Sequence, residues 1–177
     1  MSKVKLATIW LDGCSGCHMS ALDMDERWLE LAGLVDLVYS PLVDTKEYPE
    51  NVDIVLVEGA VSSEEDLEKI RKVRQRSKIL VSLGDCAVTS NVPGMRNRFS
   101  VRDLENRSYI ENAQLNRQVP KQVVPPLLPK ARPVHEYVTV DVFVPGCPPS
   151  ADTIYFVLTQ LLAGPKPDLT GLTRFGA

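Results

Sequence analysis

Between Val4 and Leu162 the sequence alternates short apolar runs with segments of helical period, a rhythm that favours a parallel α/β sheet. Val4–Leu11 reads as the first strand and stops at Asp12-Gly13. Ala21, Leu22, Met24, Trp28, Leu29, Leu31 and Ala32 then recur at helical spacing and predict one helix, ended by Gly33. Leu34–Ser40 is a less regular second strand, closed by Pro41. Asp53–Val57 is a short buried strand followed by Glu58-Gly59. Ser62 with Glu65 predicts a capping box ahead of a helix striped by Leu67, Ile70 and Val73. Lys78–Leu83 and Val138–Val144 are two further strands, ending at Gly84 and at Pro145-Gly146. Ser150 is placed to cap a last helix, Ile154–Leu162, which Gly164-Pro165 stops.

At 177 residues the chain suits a single domain, 1–177, with a core of ordinary size. Its 44% hydrophobic and 24% charged residues exclude a disordered polymer. A net charge of −3 gives no overall basic field, so no nucleic acid is expected as a partner. No apolar run approaches the roughly 20 residues that span a bilayer, and no transmembrane segment is expected. The first residues enter a strand pattern without a signal-peptide stretch, so a cytoplasmic setting is expected. Residues 91–136 break the rhythm, with eight Arg/Lys against four Asp/Glu, and ten of the thirteen prolines lie from Pro120 onward. That predicts an irregular, partly extended insertion before the last strand, suited to docking. The tail 165–177 carries little to pack by itself and is expected to lie on a partner.

Cys14 and Cys17 form a C-x-x-C around Ser15-Gly16, Cys86 follows after 68 residues and Cys147 after a further 60. Every one of them stands just past a predicted strand. A parallel sheet carries such strand ends to one edge, where ligands bind near a switch in strand order. In a reducing compartment they serve as thiols or metal ligands rather than disulfides. Spacing alone leaves open an iron–sulfur cluster, a zinc site, or a redox dithiol on the C-x-x-C with two incidental thiols. Gly13, Gly84 and Gly146 flank these cysteines, and their missing side chains would let backbone N–H groups approach bound sulfurs. Glu58 ends a strand on the same edge and is a further candidate beside the site. Asp85 reads as a helix cap, His18 as a structural or surface side chain, and Trp10 as packing.

The words around the cysteines add a family likeness. Trp10-Leu11-Asp12-Gly13-Cys14-Ser15-Gly16-Cys17 resembles the start of a [NiFe]-hydrogenase small subunit. Val57-Glu58-Gly59-Ala60-Val61 resembles that family's third-strand motif. Gly84-Asp85-Cys86-Ala87 with Asn91-Val92-Pro93-Gly94-Met95-Arg96-Asn97 resembles its third-cysteine block, and Val144-Pro145-Gly146-Cys147-Pro148-Pro149 its fourth. The blocks follow the family order from Trp10 to Pro149. Among its branches, the chain is most similar to the short small subunits of the cytoplasmic NAD-coupled bidirectional enzymes, the Hox type.

The resemblance implies a flavodoxin-like, doubly wound domain holding one proximal [4Fe–4S] cluster on Cys14, Cys17, Cys86 and Cys147. It implies a separate large subunit with the Ni–Fe centre, and iron–sulfur/flavin diaphorase subunits that take the electrons onward. No cysteine follows Cys147, whereas many family members carry two more clusters in a further domain. Met19 stands where the family often has Glu, which removes any acid role at that position. An FMN near the cluster is admitted by the fold, although Cys14 and Cys17 occupy the loop where flavodoxins bind phosphate. Asn91–Arg98, with Arg96 and Arg98, is the part of the basic stretch expected to face the large subunit. Rival readings are a cluster-bearing subunit of a respiratory quinone reductase, whose ligand set typically begins with adjacent cysteines, a structural zinc protein using all four cysteines, and a stand-alone flavodoxin-like oxidoreductase.

Overall fold

The computed structural model describes residues 3–173. In chain order its strands are β1 (Val4–Trp10), β2 (Val35–Tyr39), β3 (Val52–Glu58), β4 (Val61–Ser63), β5 (Ser77–Leu83), β6 (Leu127–Arg132) and β7 (Val142–Val144). The α-helices are α1 (Gly16–Leu22), α2 (Arg27–Ala32), α3 (Glu64–Arg76), α4 (Asp85–Thr89), α5 (Asn91–Gly94), α6 (Val101–Glu105) and α7 (Ala151–Ala163). Five parallel strands make the central sheet in the order β2-β1-β3-β5-β7, while β4 and β6 pair antiparallel as a separate ribbon. Leaving the ribbon aside, this is the 2-1-3-4-5 order of doubly wound, flavodoxin-like sheets, whose direction of winding switches between β1 and β3.

Successive side chains on a strand point to opposite faces, and that alternation builds two cores. Leu6, Ile54, Leu56, Val81, Leu83 and Val144 pack against Leu31 of α2 and Ile154, Val157 and Leu158 of α7. Ala7, Ile9, Val55, Val57 and Leu80 pack on the other face against Ile70 and Val73 of α3 and Ala87 of α4. No helix among the described residues is long and apolar enough to cross a membrane.

Several elements depart from the sequence expectation, each for a local reason. The single helix expected after β1 is two, α1 and α2, because Asp25 takes a left-handed φ of 50° that no continuous helix accommodates. The capping box is Ser63 with Asp66, one residue beyond Ser62 and Glu65: Ser63, the last residue of β4, accepts the Asp66 N–H, and the Asp66 carboxylate accepts the Ser63 N–H. The last strand begins at Val142, not Val138. The Asp141 carboxylate accepts the Leu80 N–H at 2.7 Å and the Arg74 guanidinium at 2.6 Å, taking up a backbone donor ahead of the ladder.

The 91–136 insertion is not wholly irregular. It holds α5, a 3-10 turn over Met95–Arg98, α6, a π-helical segment over Asn106–Glu111, and strand β6. Arg96 is turned inward, donating to the Ser62 and Leu128 carbonyls at 3.0 Å each, and Asn97 exchanges two hydrogen bonds with Ala131. Arg98 stays exposed. The tail also packs on its own chain: Leu169 joins the first core, and Thr173 donates to the Pro145 carbonyl. The tail's remainder, 174–177, lies outside the described residues.

Candidate metal centre

Register brings the strand ends level. Trp10 is opposite Glu58, Glu58 opposite Leu83, and Leu83 opposite Val144, so four neighbouring strands finish in one row. The loops that follow carry Cys14, Cys17, Cys86 and Cys147 over that edge. Two backbone zips fix them. On one side the Leu11 N–H donates to Glu58 and the Asp12 and Ala60 backbones exchange hydrogen bonds of 3.0 and 2.7 Å. Gly59 makes this crossing feasible: a Cβ there would lie 2.7 Å from the Leu11 carbonyl carbon, and its φ is +89°. On the other side the Gly84 N–H donates to Val144 and the Asp85 N–H to Gly146, both at 2.8 Å. The Asp85 carboxylate returns the contact by accepting the Gly146 N–H at 2.7 Å. Asp85 is therefore the first residue of α4 and a clamp between two cysteine loops, not the expected cap.

Helix α1 is tied to both zips. The Glu58 carboxylate, 2% exposed, accepts the His18 backbone N–H at 2.7 Å, and the same oxygen lies 2.5 Å from His18 Nδ1. The other ring nitrogen sits 2.9 Å from Thr8 Oγ1, which donates to Ser40. Ser20 Oγ donates to the Pro149 carbonyl at 2.5 Å, linking α1 to the loop of Cys147. Glu58 is thus a buried anchor of the Cys17 helix, and His18 is structural, as its neighbours show. Trp10 is 46% exposed, with its indole N–H directed at the Gly13 carbonyl. Met19 is exposed.

All four thiols are free, Cys14 and Cys147 exposed and Cys17 and Cys86 half-buried. Burial pushes the Cys17 thiol well above its ordinary range, and Glu58 and the other three cysteines add to that. Cys86 is raised too, by burial first, with Cys147, Cys14 and Glu58 contributing against a Val92 N–H that hydrogen-bonds the sulfur. The four sulfurs therefore sense one another across one edge. Yet among the described residues no three His, Cys, Asp or Glu side chains are gathered tightly enough to hold one metal ion. A zinc ion at 2.3 Å from each sulfur draws four of them to within about 3.8 Å of each other. A group whose metal atoms occupy several positions, each taking one thiolate, does not require that crowding.

Of the three flanking glycines, Gly84 leaves space for a sulfur, while Gly13 and Gly146 leave space for neighbouring backbone. Gly84 has a φ of +83°, and a Cβ on it would fall 2.2 Å from Cys17 Sγ. At Gly146 a Cβ would meet Pro149 at 2.7 Å, and at Gly13 it would meet the Gly59 backbone at 3.2 Å. The N–H groups of Gly84 and Gly146 are themselves engaged by Val144 and Asp85. The donors that do reach sulfur come from α5, in the stretch expected to face the large subunit: the Val92 N–H on Cys86, and the Asn91 amide on Cys147 at 3.5 Å. A short amide residue immediately past the Cys86 helix was the available signal.

Residues 14–161 match the family model described as NADH ubiquinone oxidoreductase, 20 Kd subunit. The chain is 47% identical to the NAD-reducing hydrogenase HoxS subunit delta of Cupriavidus necator, over 94% of this chain and 82% of that protein. The chain belongs to this family, in its branch of hydrogenase small subunits. It is 32% identical to the sulfhydrogenase 2 subunit delta of Pyrococcus furiosus over 93% of this chain, but spans only 64% of that longer protein. The fold superposes on a chain of the NAD+-reducing [NiFe]-hydrogenase in the H2-reduced state with a TM-score of 0.94 and 40% identity, covering 98% of this chain and 99% of that one. A [NiFeSe]-hydrogenase chain from Dm. baculatum, 20% identical, shares the fold at a TM-score of 0.63 and is covered over 70% of its length.

Proposed function

We propose that this chain is the electron-transfer small subunit of a cytoplasmic NAD-reducing [NiFe] hydrogenase, a single domain holding one [4Fe–4S] cluster on Cys14, Cys17, Cys86 and Cys147. The complex would interconvert H2 + NAD+ and NADH + H+, with the Ni–Fe centre on a large subunit and a diaphorase module receiving the electrons. The observation that carries this reading is the row Trp10–Glu58–Leu83–Val144, from which the cysteine loops rise together. When bound, the cluster supplies one-electron storage with its charge spread over several atoms. The chain's own residues hold it in place. Glu58 fixes the Cys17 helix through His18, Asp85 locks the Cys86 loop to the Cys147 loop, and Gly84 leaves room for the Cys17 sulfur. Four thiolates set side by side repel one another, and a cationic iron core among them relieves that repulsion.

The test is H2-dependent NAD+ reduction by the anaerobically purified complex, run beside quinone reduction. Hydrogen-driven NADH formation supports the assignment. Quinone coupling without any H2-dependent reduction of NAD+ or dyes favours a respiratory quinone reductase, the rival within the same broad family. Against that rival, Cys14 and Cys17 are separated by two residues rather than adjacent.

FMN is a second, separate proposal. A cavity of about 540 Å³ beside Asn91, lined by Ser90, Arg98, Lys130 and the Arg132–Glu136 ion pair, has the size of a ligand pocket and, in Arg98 and Lys130, cationic side chains for a phosphate. Acid release and fluorescence of flavin from this subunit, separated from its diaphorase, decides the matter: flavin supports it and a flavin-free subunit removes it.

A further inference from the structure

We propose that Asn91 sets the reduction potential of the cluster through its amide hydrogen bond to the Cys147 sulfur. This rests on the cluster reading above and adds a residue to which the motif assigned only an interface role. Among the described residues, Asn91 is the one side chain that donates to any of the four cysteine sulfurs. Its Nδ2–H reaches Cys147 Sγ at 3.5 Å, an ordinary N–H···S separation because sulfur is larger than oxygen.

The backbone explains why this side chain arrives there. Helix α4 ends at Ser90, which takes a left-handed φ of 67° while its N–H still donates to the Cys86 carbonyl at 3.0 Å. Ser90 also opens α5, accepting the Gly94 N–H at 2.8 Å. A non-glycine residue held at positive φ costs energy, and here that strain reverses the chain between two short helices. Immediately past the reversal, Asn91 offers its amide to Cys147 and Val92 its N–H to Cys86. Two consecutive residues thus grip the sulfurs delivered by β5 and β7.

A donor on a ligating sulfur withdraws charge from it. The reduced cluster carries one more negative charge than the oxidised one, so the bond is stronger in the reduced state and raises the potential. No proton is gained or lost in this effect, and the electron passes as it does in the unmodified protein.

The experiment is a redox titration followed by low-temperature EPR on the assembled complex, with iron and sulfide counts. The variants are Asn91→Ala and Asn91→Asp, the second of the same shape but with a carboxylate in place of the N–H donor. Full iron content with a midpoint shifted to more negative potential, further in Asn91→Asp than in Asn91→Ala, is the expected result. Full iron content and an unchanged midpoint in both variants overturns the proposal. Loss of iron from both variants, with a full complement in the wild type, also overturns it and makes Asn91 an anchor instead. A wild type without iron rejects the cluster itself, a failure distinct from the other two.

Discussion

Replacing Gly84 by Ala separates folding from cluster binding. At φ +83° and ψ 160° the residue occupies a region used almost only by glycine, and alanine there costs about 1–3 kcal/mol. The added Cβ also falls 2.2 Å from Cys17 Sγ, where ordinary contact needs 3.4 Å, so the sulfur must retreat by about 1.2 Å. Rotating one thiol by that amount is cheap for the fold. It is not cheap for a metal site, in which ligand distances hold to within about 0.2 Å. Gly164→Ala is the matched control, because Gly164 has φ +104° and nothing within 4 Å of its would-be Cβ. Both variants should lose about 2–12 °C of melting temperature, at about 2–4 °C per kcal/mol for a chain of this size. Only Gly84→Ala should lose iron, acid-labile sulfide and the EPR signal of the reduced cluster. A Gly84→Ala protein with the iron content and EPR spectrum of Gly164→Ala would refute the reasoning that the Cys17 sulfur points at a metal.

Three further outcomes are expected. Cys86→Ser should lower H2-dependent NAD+ reduction by at least about 100-fold while H2-dependent dye reduction at the large subunit partly survives, and unchanged rates with full iron would remove Cys86 from the ligand set. Glu58→Ala leaves the buried His18 N–H and ring nitrogen without their acceptor, for about 3 kcal/mol and about 6–12 °C of melting temperature, and Glu58→Gln should recover part of that; equal melting temperatures for wild type and Glu58→Ala would dismiss the anchor role. Tyr48 is held protonated to about pH 12 by burial, so its contribution to stability is complete below about pH 10 and is lost as pH rises from there through 12. Urea unfolding should show wild type losing more stability than Tyr48→Phe across that interval, and parallel losses would contradict it.

The sheet was legible because its central strands β1, β3 and β5 are largely buried on both faces and read as short apolar runs with turn residues at their ends. Their shared edge followed from parallel pairing alone. What escaped the pattern was polar or exposed. Strand β6 contains Pro129 and buries only Ala131, so no apolar rhythm announced it. The break at Asp25 was hidden because Trp28 and Leu31 continue the helical spacing across it. In the site, the cysteines and Glu58 stood out by type and place. The donors to sulfur did not, since a backbone N–H leaves no trace in sequence and Asn91 reaches Cys147 across 56 residues. Asp85 reads as a cap in sequence for the same reason: its partner, the Gly146 N–H, is 61 residues away.

Iron and acid-labile sulfide counts with low-temperature EPR, on the complex purified and reduced without oxygen, test the central assignment most directly. About four irons and four sulfides for each copy of this chain, with a reduced-cluster signal that disappears in Cys86→Ser, are the expected values. One zinc per chain, no labile sulfide and no signal would contradict it.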